Sequence, residues 1–380
     1  MTRSVILISN GFQPDYEAGF ANGLAANGVE VTLISSDRTL LERLDSRVQV
    51  KNLRGNQDPK RSRVSKALNL IAYFLRLCLF LSKQGTTVHL TGLFSLSHIR
   101  KSWADRSWKY ECRIIRWLAP RLVLTVHNVV PHERDTPDVR RELASVYALP
   151  ELLVVHTARA RQRLIDEFNV APSRICVMEH GVDDIVVLAE SRRAAARAAL
   201  LQPGQDTLAL FFGAVQYYKG IDLLVAEGTA LRAGLKLHIA GRCGDDTYRQ
   251  TIDTMISGHP RTGQITWEEG YLSETRASEL LAAADVVVMP YRHIDQSGVL
   301  FAALRHGTKV LAFDVGSLRD YLGEERGGVV PSGDTSAFMA ALNGLRATGS
   351  AERERVTDYA RGFAWCNTVR ALLPHYGRAG

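Results

Sequence analysis

The feature that most constrains this chain is a recurrence of short, uninterrupted Val/Ile/Leu runs, each closed by a loop and followed by a helical stretch. The first run is Ser4-Val-Ile-Leu-Ile-Ser9; a loop with Gly11, Pro14 and Gly19, a helix and Gly28 lead to a second at Val29–Ser35. Runs this apolar lack inside/outside alternation, so they read as strands of a parallel sheet covered on both faces. Further strands are expected at 87–90, 122–126, 152–155 and 175–178. The pattern restarts at Thr207, with strands at 208–212, 235–240, 264–267, 286–290 and 309–313 and helices from Ile221 and over 273–283 and 299–306. Two successive βα arrays in 380 residues predict two doubly wound α/β domains. The break falls within 183–205, where an Ala/Arg-rich helix ends at Pro203-Gly204.

Composition narrows the class. The 46% hydrophobic and 23% charged residues are ordinary for a globular protein. Five scattered cysteines without a CxxC pair point to free thiols in a reducing cytoplasm, not to a disulfide framework or a zinc site. The start of the chain does not read as a signal peptide. Charge is uneven: residues 1–150 hold 22 Lys and Arg against 13 Asp and Glu, and within 51–121 the balance is 15 against 3. An excess this focused points to a polyanionic partner or to a solvated basic surface. The segment from Ala67 to Leu81 is apolar except for Asn69 and Arg76 and is flanked by Arg and Lys. It reads either as a helix packed on the first sheet or as one lying at a membrane interface.

Open α/β sheets bind ligands beyond the carboxyl ends of their strands. In the second half three such loops carry phosphate-binding features. Gly213 sits at a strand end with Lys219 in the same loop, and Ala240-Gly241-Arg242 closes the next strand with a glycine and a guanidinium. Tyr291…Asp295-Gln296-Ser297-Gly298-Val299 runs into a helix, with Ser297 as N-cap and the Gly298 and Val299 N–H groups as an anion site. Together they form a diphosphate clamp.

On these residues the second half resembles the nucleotide-sugar domain of GT-B glycosyltransferases, family 4 above all. Gly213…Lys219-Gly220-Ile-Asp222 is similar to the family's GxxxxxKGxD loop, and Ala240-Gly-Arg242 to its AGxG. Pro290-Tyr…Ser297-Gly298…Gly307-Thr-Lys-Val-Leu-Ala312 is similar to its PSxxEGFG segment, and Asp314-Val-Gly-Ser317 to the next glycine loop. Glu179-His-Gly-Val-Asp183 resembles PNGVD, and Phe363-Ala-Trp365 the FSW that opens a final helix. The resemblance implies GT-B architecture: two Rossmann-like domains facing each other across a cleft, with boundaries at 1–186 and 187–360, and a helix over 361–380 crossing back. It implies that the donor is bound by Gly213, Gln216, Lys219, Gly241, Arg242, Tyr271, Tyr291, Asp295, Gln296, Ser297, Gly298 and Val299. The acceptor side is expected at Gly19, Asn128 and Glu133, and His127 is expected to hydrogen-bond the reacting sugar.

The family's paired glutamates are missing, replaced by Ala302 and by Ile294 or Asp295, and its usual clamp arginine by Gln216 or Ala214. The donor sugar therefore does not carry over, and Lys219 and Arg242 are left to neutralise the diphosphate. No strand ends in a DxD that would hold a divalent ion, and His127 with His132 lacks a third ligand at suitable spacing, so no metal or other cofactor is expected.

The function expected is transfer of a sugar from a nucleoside-diphosphate sugar to an acceptor. The basic first half and its apolar run favour a polyprenyl-diphosphate-linked glycan of bacterial exopolysaccharide assembly at the cytoplasmic membrane face, with no nucleic-acid partner. Retention would let a leaving phosphate oxygen take the acceptor proton; inversion on a soluble acceptor would need Asp15, Glu17 or Glu133 as base. A non-catalytic nucleic-acid or anionic-lipid binder is the alternative from another class; it leaves the clamp unexplained.

Overall fold

A computed structural model describes residues 3–58, 60–93, 107–130, 135–261 and 263–376. The chain divides into two compact units, Met1–Asp183 with Phe363–Gly380, and Asp184–Gly362. Each is a parallel sheet wound with helices on both faces.

In the first unit the order is β1 (Arg3–Ile8), α1 (Pro14–Ala26), β2 (Val29–Ser35), β3 (Gln49–Asn52), α2 (Arg63–Leu81), β4 (Thr87–Leu90), α3 (Ser107–Leu118), β5 (Leu122–Thr125), α4 (Pro137–Tyr147), β6 (Leu152–Val155), α5 (Ala158–Phe168) and β7 (Ile175–Val177). The seven strands lie in the order β3-β2-β1-β4-β5-β6-β7. Strand order reverses between β1 and β4, the switch point where loops part to leave a crevice. Successive residues of β1 serve opposite faces. Val5 and Leu7 pack with Phe20 and Leu24 of α1, while Ile6 and Ile8 pack with Tyr73 and Leu77 of α2 and Ile115 of α3.

In the second unit follow α6 (Glu190–Leu200), β8 (Thr207–Phe212), α7 (Ile221–Ala226), β9 (Leu235–Ala240), α8 (Asp246–Ser257), β10 (Ile265–Glu268), α9 (Glu274–Ala283), β11 (Val286–Met289), α10 (Gly298–Arg305), β12 (Lys309–Phe313), α11 (Leu318–Tyr321), β13 (Gly327–Val330), α12 (Thr335–Gly344) and α13 (Ser350–Arg361). The sheet runs β10-β9-β8-β11-β12-β13, with its switch point between β8 and β11. The two edge strands that the sequence reading omits, β3 and β13, have the sequences QVKN and GGVV, which show neither a long apolar run nor alternation.

The chain then returns to the first unit through α14 (Trp365–Thr368) and a 3-10 turn over Val369–His375. Trp365 anchors it. Three glycines make its socket: a Cβ on Gly19 would lie 2.0 Å from the indole Nε1, one on Gly181 2.0 Å from Cδ2, and one on Gly23 2.8 Å from the Trp365 backbone. The indole N–H donates to Asp183 Oδ1 at 3.1 Å. Gly19 thus lies within α1, not in the loop before it, and makes room for a tryptophan. Gly19→Ala is expected to cost about 1–3 kcal/mol by overpacking. Gly344→Ala, at a helical position with open space around it, is expected to be neutral or mildly stabilising. Urea unfolding of the two variants checks this, and equal midpoints would dismiss the socket.

Candidate functional site

In the second unit, the β8–α7 loop and the loop after β11 flank the switch point. Gly213 ends β8 with φ +96°, and its N–H donates to Ala240 O at 3.0 Å, while Val215 N–H donates to Arg242 O at 2.9 Å. The ends of β8 and β9 are therefore held against each other. Gly241 (φ +145°) exists for that approach, since a Cβ there would lie 2.0 Å from the Gly213 carbonyl oxygen. Gly220 (φ +68°) plays the same part toward the other loop, its missing Cβ 2.0 Å from Pro290 O.

Lys219 emerges from a 3-10 turn between these glycines. Its Nζ would be 3.3 Å from a Cβ on Gly213, and Val299 Cγ2 3.5 Å from the same point, so lysine, glycine and the first turn of α10 converge. The ammonium lies 5.6 Å from the Tyr291 ring centroid. Lys219 is 7% exposed, and burial pulls its pKa down to about 8. Among the described residues no carboxylate pairs with it. A buried cation beside a helix N-terminus whose first N–H groups have no intrahelical partner is an anion site.

Ser297 stands at the N-cap of α10 and is buried, but its side chain makes no capping bond to the helix. The Gln296 Nε2 and Ser317 Oγ atoms are buried with no hydrogen-bond partner among the described residues. They belong to two loops joined by the bond from Ser317 N–H to Asp295 O at 3.2 Å. Gln216 is exposed at the start of the 3-10 turn, its carbonyl accepting from Lys219 N–H at 2.9 Å. Arg242 is exposed and held by Tyr271, which it faces at 5.0 Å and whose hydroxyl accepts from Nη1 at 2.8 Å.

Sequence reasoning missed one latch. Arg292 pairs with Asp222 through both carboxylate oxygens, at 2.9 and 2.6 Å, and its N–H donates to Tyr218 O at 2.8 Å. Tyr248 donates to the same Asp222 at 2.6 Å. Asp222 therefore ties the two loops together, and Arg292 is occupied by it.

In the first unit, the strand ends carry a cluster of rings. Tyr16, on α1, meets His127 at 4.8 Å, His180 at 5.4 Å, His156 at 5.6 Å and Trp365 at 5.0 Å. His127, His156 and His180 follow β5, β6 and β7 in turn. The His127 Nε2–H donates to Thr91 O at 2.7 Å, which makes Nδ1 the acceptor nitrogen. Burial lowers the His127 pKa to about 4, so the ring is neutral at physiological pH. Asn128 beside it is exposed. Glu133, with His132, lies outside the described residues.

Of the three carboxylates expected as candidate bases, the two among the described residues part ways. Glu17 is 1% exposed, accepts the Gly11 N–H at 3.0 Å, and burial pushes its carboxyl above the usual range. It braces the β1–α1 loop from inside. Asp15 is exposed and pairs with Arg43, which also holds Asp183 at 2.9 Å. Among the described residues no group of three His, Cys, Asp or Glu side chains is arranged to hold a metal ion.

Comparison with known proteins fits this geometry. The description Glycosyltransferase Family 4 matches residues 18–185, and Glycosyl transferases group 1 matches residues 206–347. The chain belongs to the GT-B glycosyltransferases of the family 4 type. It is 28% identical over 318 residues to the D-inositol 3-phosphate glycosyltransferase of Mycobacteroides abscessus, covering 80% of this chain and 71% of that protein. To the protein of the same name from Nocardia farcinica it is 31% identical over 287 residues, 70% of this chain and 62% of that one. The chain thus spans less than two thirds of the second relative. Among solved structures, sucrose-phosphate synthase from Thermosynechococcus elongatus superposes with TM-score 0.73 at 18% identity, covering 98% of each chain. Anabaena HepE in complex with UDP superposes with TM-score 0.69 at 14% identity, covering 97% of each.

Proposed function

We propose that the protein transfers a sugar from a nucleoside-diphosphate sugar, held by the second unit, to a lipid-linked diphosphate acceptor. The observation that carries the donor half is Lys219, a buried ammonium without a carboxylate partner among the described residues, set beside the N-terminus of α10. A diphosphate is the dianionic group that such a site neutralises. Anabaena HepE has been solved with UDP and with UDP-glucose, which supports a uridine nucleotide as the first one to test. In the transfer, the bond from the anomeric carbon to the diphosphate oxygen breaks, a bond to the acceptor oxygen forms, and the acceptor hydroxyl gives up its proton, which an oxygen of the leaving diphosphate can take. Lys219 and the helix N–H groups stabilise the charge that develops on the departing diphosphate.

The acceptor half rests on the basic first half, 22 Lys and Arg against 13 Asp and Glu in residues 1–150. The relatives' names carry a phosphorylated inositol, so an anionic acceptor is chemistry that both readings share. Assays offering a polyprenyl-diphosphate-linked sugar and a soluble inositol phosphate side by side decide between them; transfer to the soluble acceptor alone would overturn the lipid half.

Because the leaving charge is met by an ammonium and a helix terminus, activity is expected to persist in excess EDTA. Complete loss, restored by Mg²⁺ or Mn²⁺, would show that a metal carries that charge instead.

A further inference from the structure

Helix α2 has two unlike sides. Tyr73, Leu77 and Leu81 are at most 1% exposed and join the core. Tyr73 is further pinned by polar bonds, accepting from Asn10 Nδ2 at 3.1 Å and donating to Glu111 Oε1 at 2.9 Å. The opposite side leaves five large apolar side chains bare: Val64 is 69% exposed, Leu68 62%, Ile71 58%, Leu75 61% and Leu79 66%. Their spacing of four, three, four and four residues follows the helical repeat. At about 100° per residue they fall in one band about 80° wide, roughly 22 Å long.

The charge that α2 and its immediate flanks carry is of one sign. α2 contains Arg63, Lys66 and Arg76 and no Asp or Glu, and Lys60, Arg61 and Lys83 stand just beyond its ends. Arg76, in the middle, is exposed. The neighbouring helix α3 bares Trp117, 84% exposed, a residue suited to the water–lipid boundary.

We propose that this face of α2 is a docking surface for an anionic lipid bilayer, the helix lying in the plane of the headgroups with its leucines among the acyl chains. By length and composition α2 could cross a membrane, but its inner side is built into the core, which fixes it as a helix that lies on the surface. Charge selects the occupant. A second copy of the chain, seated on the same face by a two-fold axis, would set these basic residues against their own images, whereas anionic headgroups neutralise them. The inference goes beyond the sugar-transfer reading and does not depend on it.

Vesicle flotation of the full chain, with neither donor nor acceptor present, tests it. Wild-type protein is expected to float with phosphatidylcholine vesicles containing phosphatidylglycerol at low salt, and to be released by high salt or by omission of the anionic lipid. Leu68→Ser with Leu75→Ser, and separately Arg63→Ser with Lys66→Ser and Arg76→Ser, are each expected to weaken binding at least about tenfold. The substituted side chains are exposed, so an unchanged melting curve and unchanged nucleotide binding confirm that the variants fold. Failure of the wild type to float at low salt, or variants that float equally well, would overturn the proposal. So would light scattering that finds a dimer dispersed by Leu68→Ser with Leu75→Ser, which would assign the face to a second copy.

Discussion

Lys219→Ala is expected to weaken nucleoside-diphosphate binding by about ten- to a hundredfold, the loss of one charge-assisted hydrogen bond worth roughly 1.5–3 kcal/mol. Calorimetry with UDP on the full chain measures it, and an unchanged affinity would remove the clamp. The pH dependence separates this role from a merely structural one. Burial takes the ammonium from its ordinary 10.5 to about 8, so the free protein sheds this proton as pH rises through 8. Nucleotide affinity is expected to fall over the same range, with proton uptake on binding, because a bound diphosphate favours the charged form. For stability the sign runs the other way. Between 8 and 10.5 the unfolded chain holds the proton that the folded chain has lost, so in the absence of ligand this group makes the fold more stable as pH rises through that window. Lys219→Met is expected to abolish both effects.

Lys219 was legible because its signal is local: a glycine at a strand end, a lysine six residues on, and a second glycine immediately after. The backbone needs glycine there, at φ +96° and +68°, and the spacing records that need. Apart from β3 and β13, the strands were legible for the same reason, since burial on both faces leaves an apolar run. What stayed hidden depends on distant partners. Gly19 looked like a residue of the acceptor side, and nothing near it in sequence discloses that Trp365 fills the space above it. Asp222 belonged to a recognisable loop motif, yet its ion pair with Arg292 joins residues 70 positions apart. Asp15 and Glu17 sit two residues apart on one helix turn, and only the packing of α1 sends one to solvent and the other beneath Gly11. The two sides of α2 follow the same rule. Its outer leucines and inner ones are equally apolar in sequence, so periodicity marked the helix without showing which side would be left bare.

His127→Ala is expected to lower kcat about a hundredfold while leaving nucleotide affinity unchanged, the outcome that follows if the ring hydrogen-bonds the reacting sugar and not the nucleotide. The geometry specifies what this histidine can do. With Nε2–H donated to the Thr91 carbonyl at 2.7 Å, Nδ1 is the acceptor nitrogen, the role that a hydrogen bond from a sugar hydroxyl calls for. With its pKa lowered to about 4 by burial, the ring stays neutral over the range in which an ordinary histidine titrates. The kcat profile is therefore expected to show no inflection near 6.5 attributable to His127, and to decline only as pH approaches 4, where protonation of Nδ1 would block acceptance. His127→Asn, which keeps a hydrogen-bonding side chain of smaller reach, is expected to fall between wild type and alanine. A structural role alone would lower the melting temperature without ordering the variants this way. Wild-type turnover in His127→Ala, with the fold intact, would remove the ring from the reaction and leave the cluster around Tyr16 as packing.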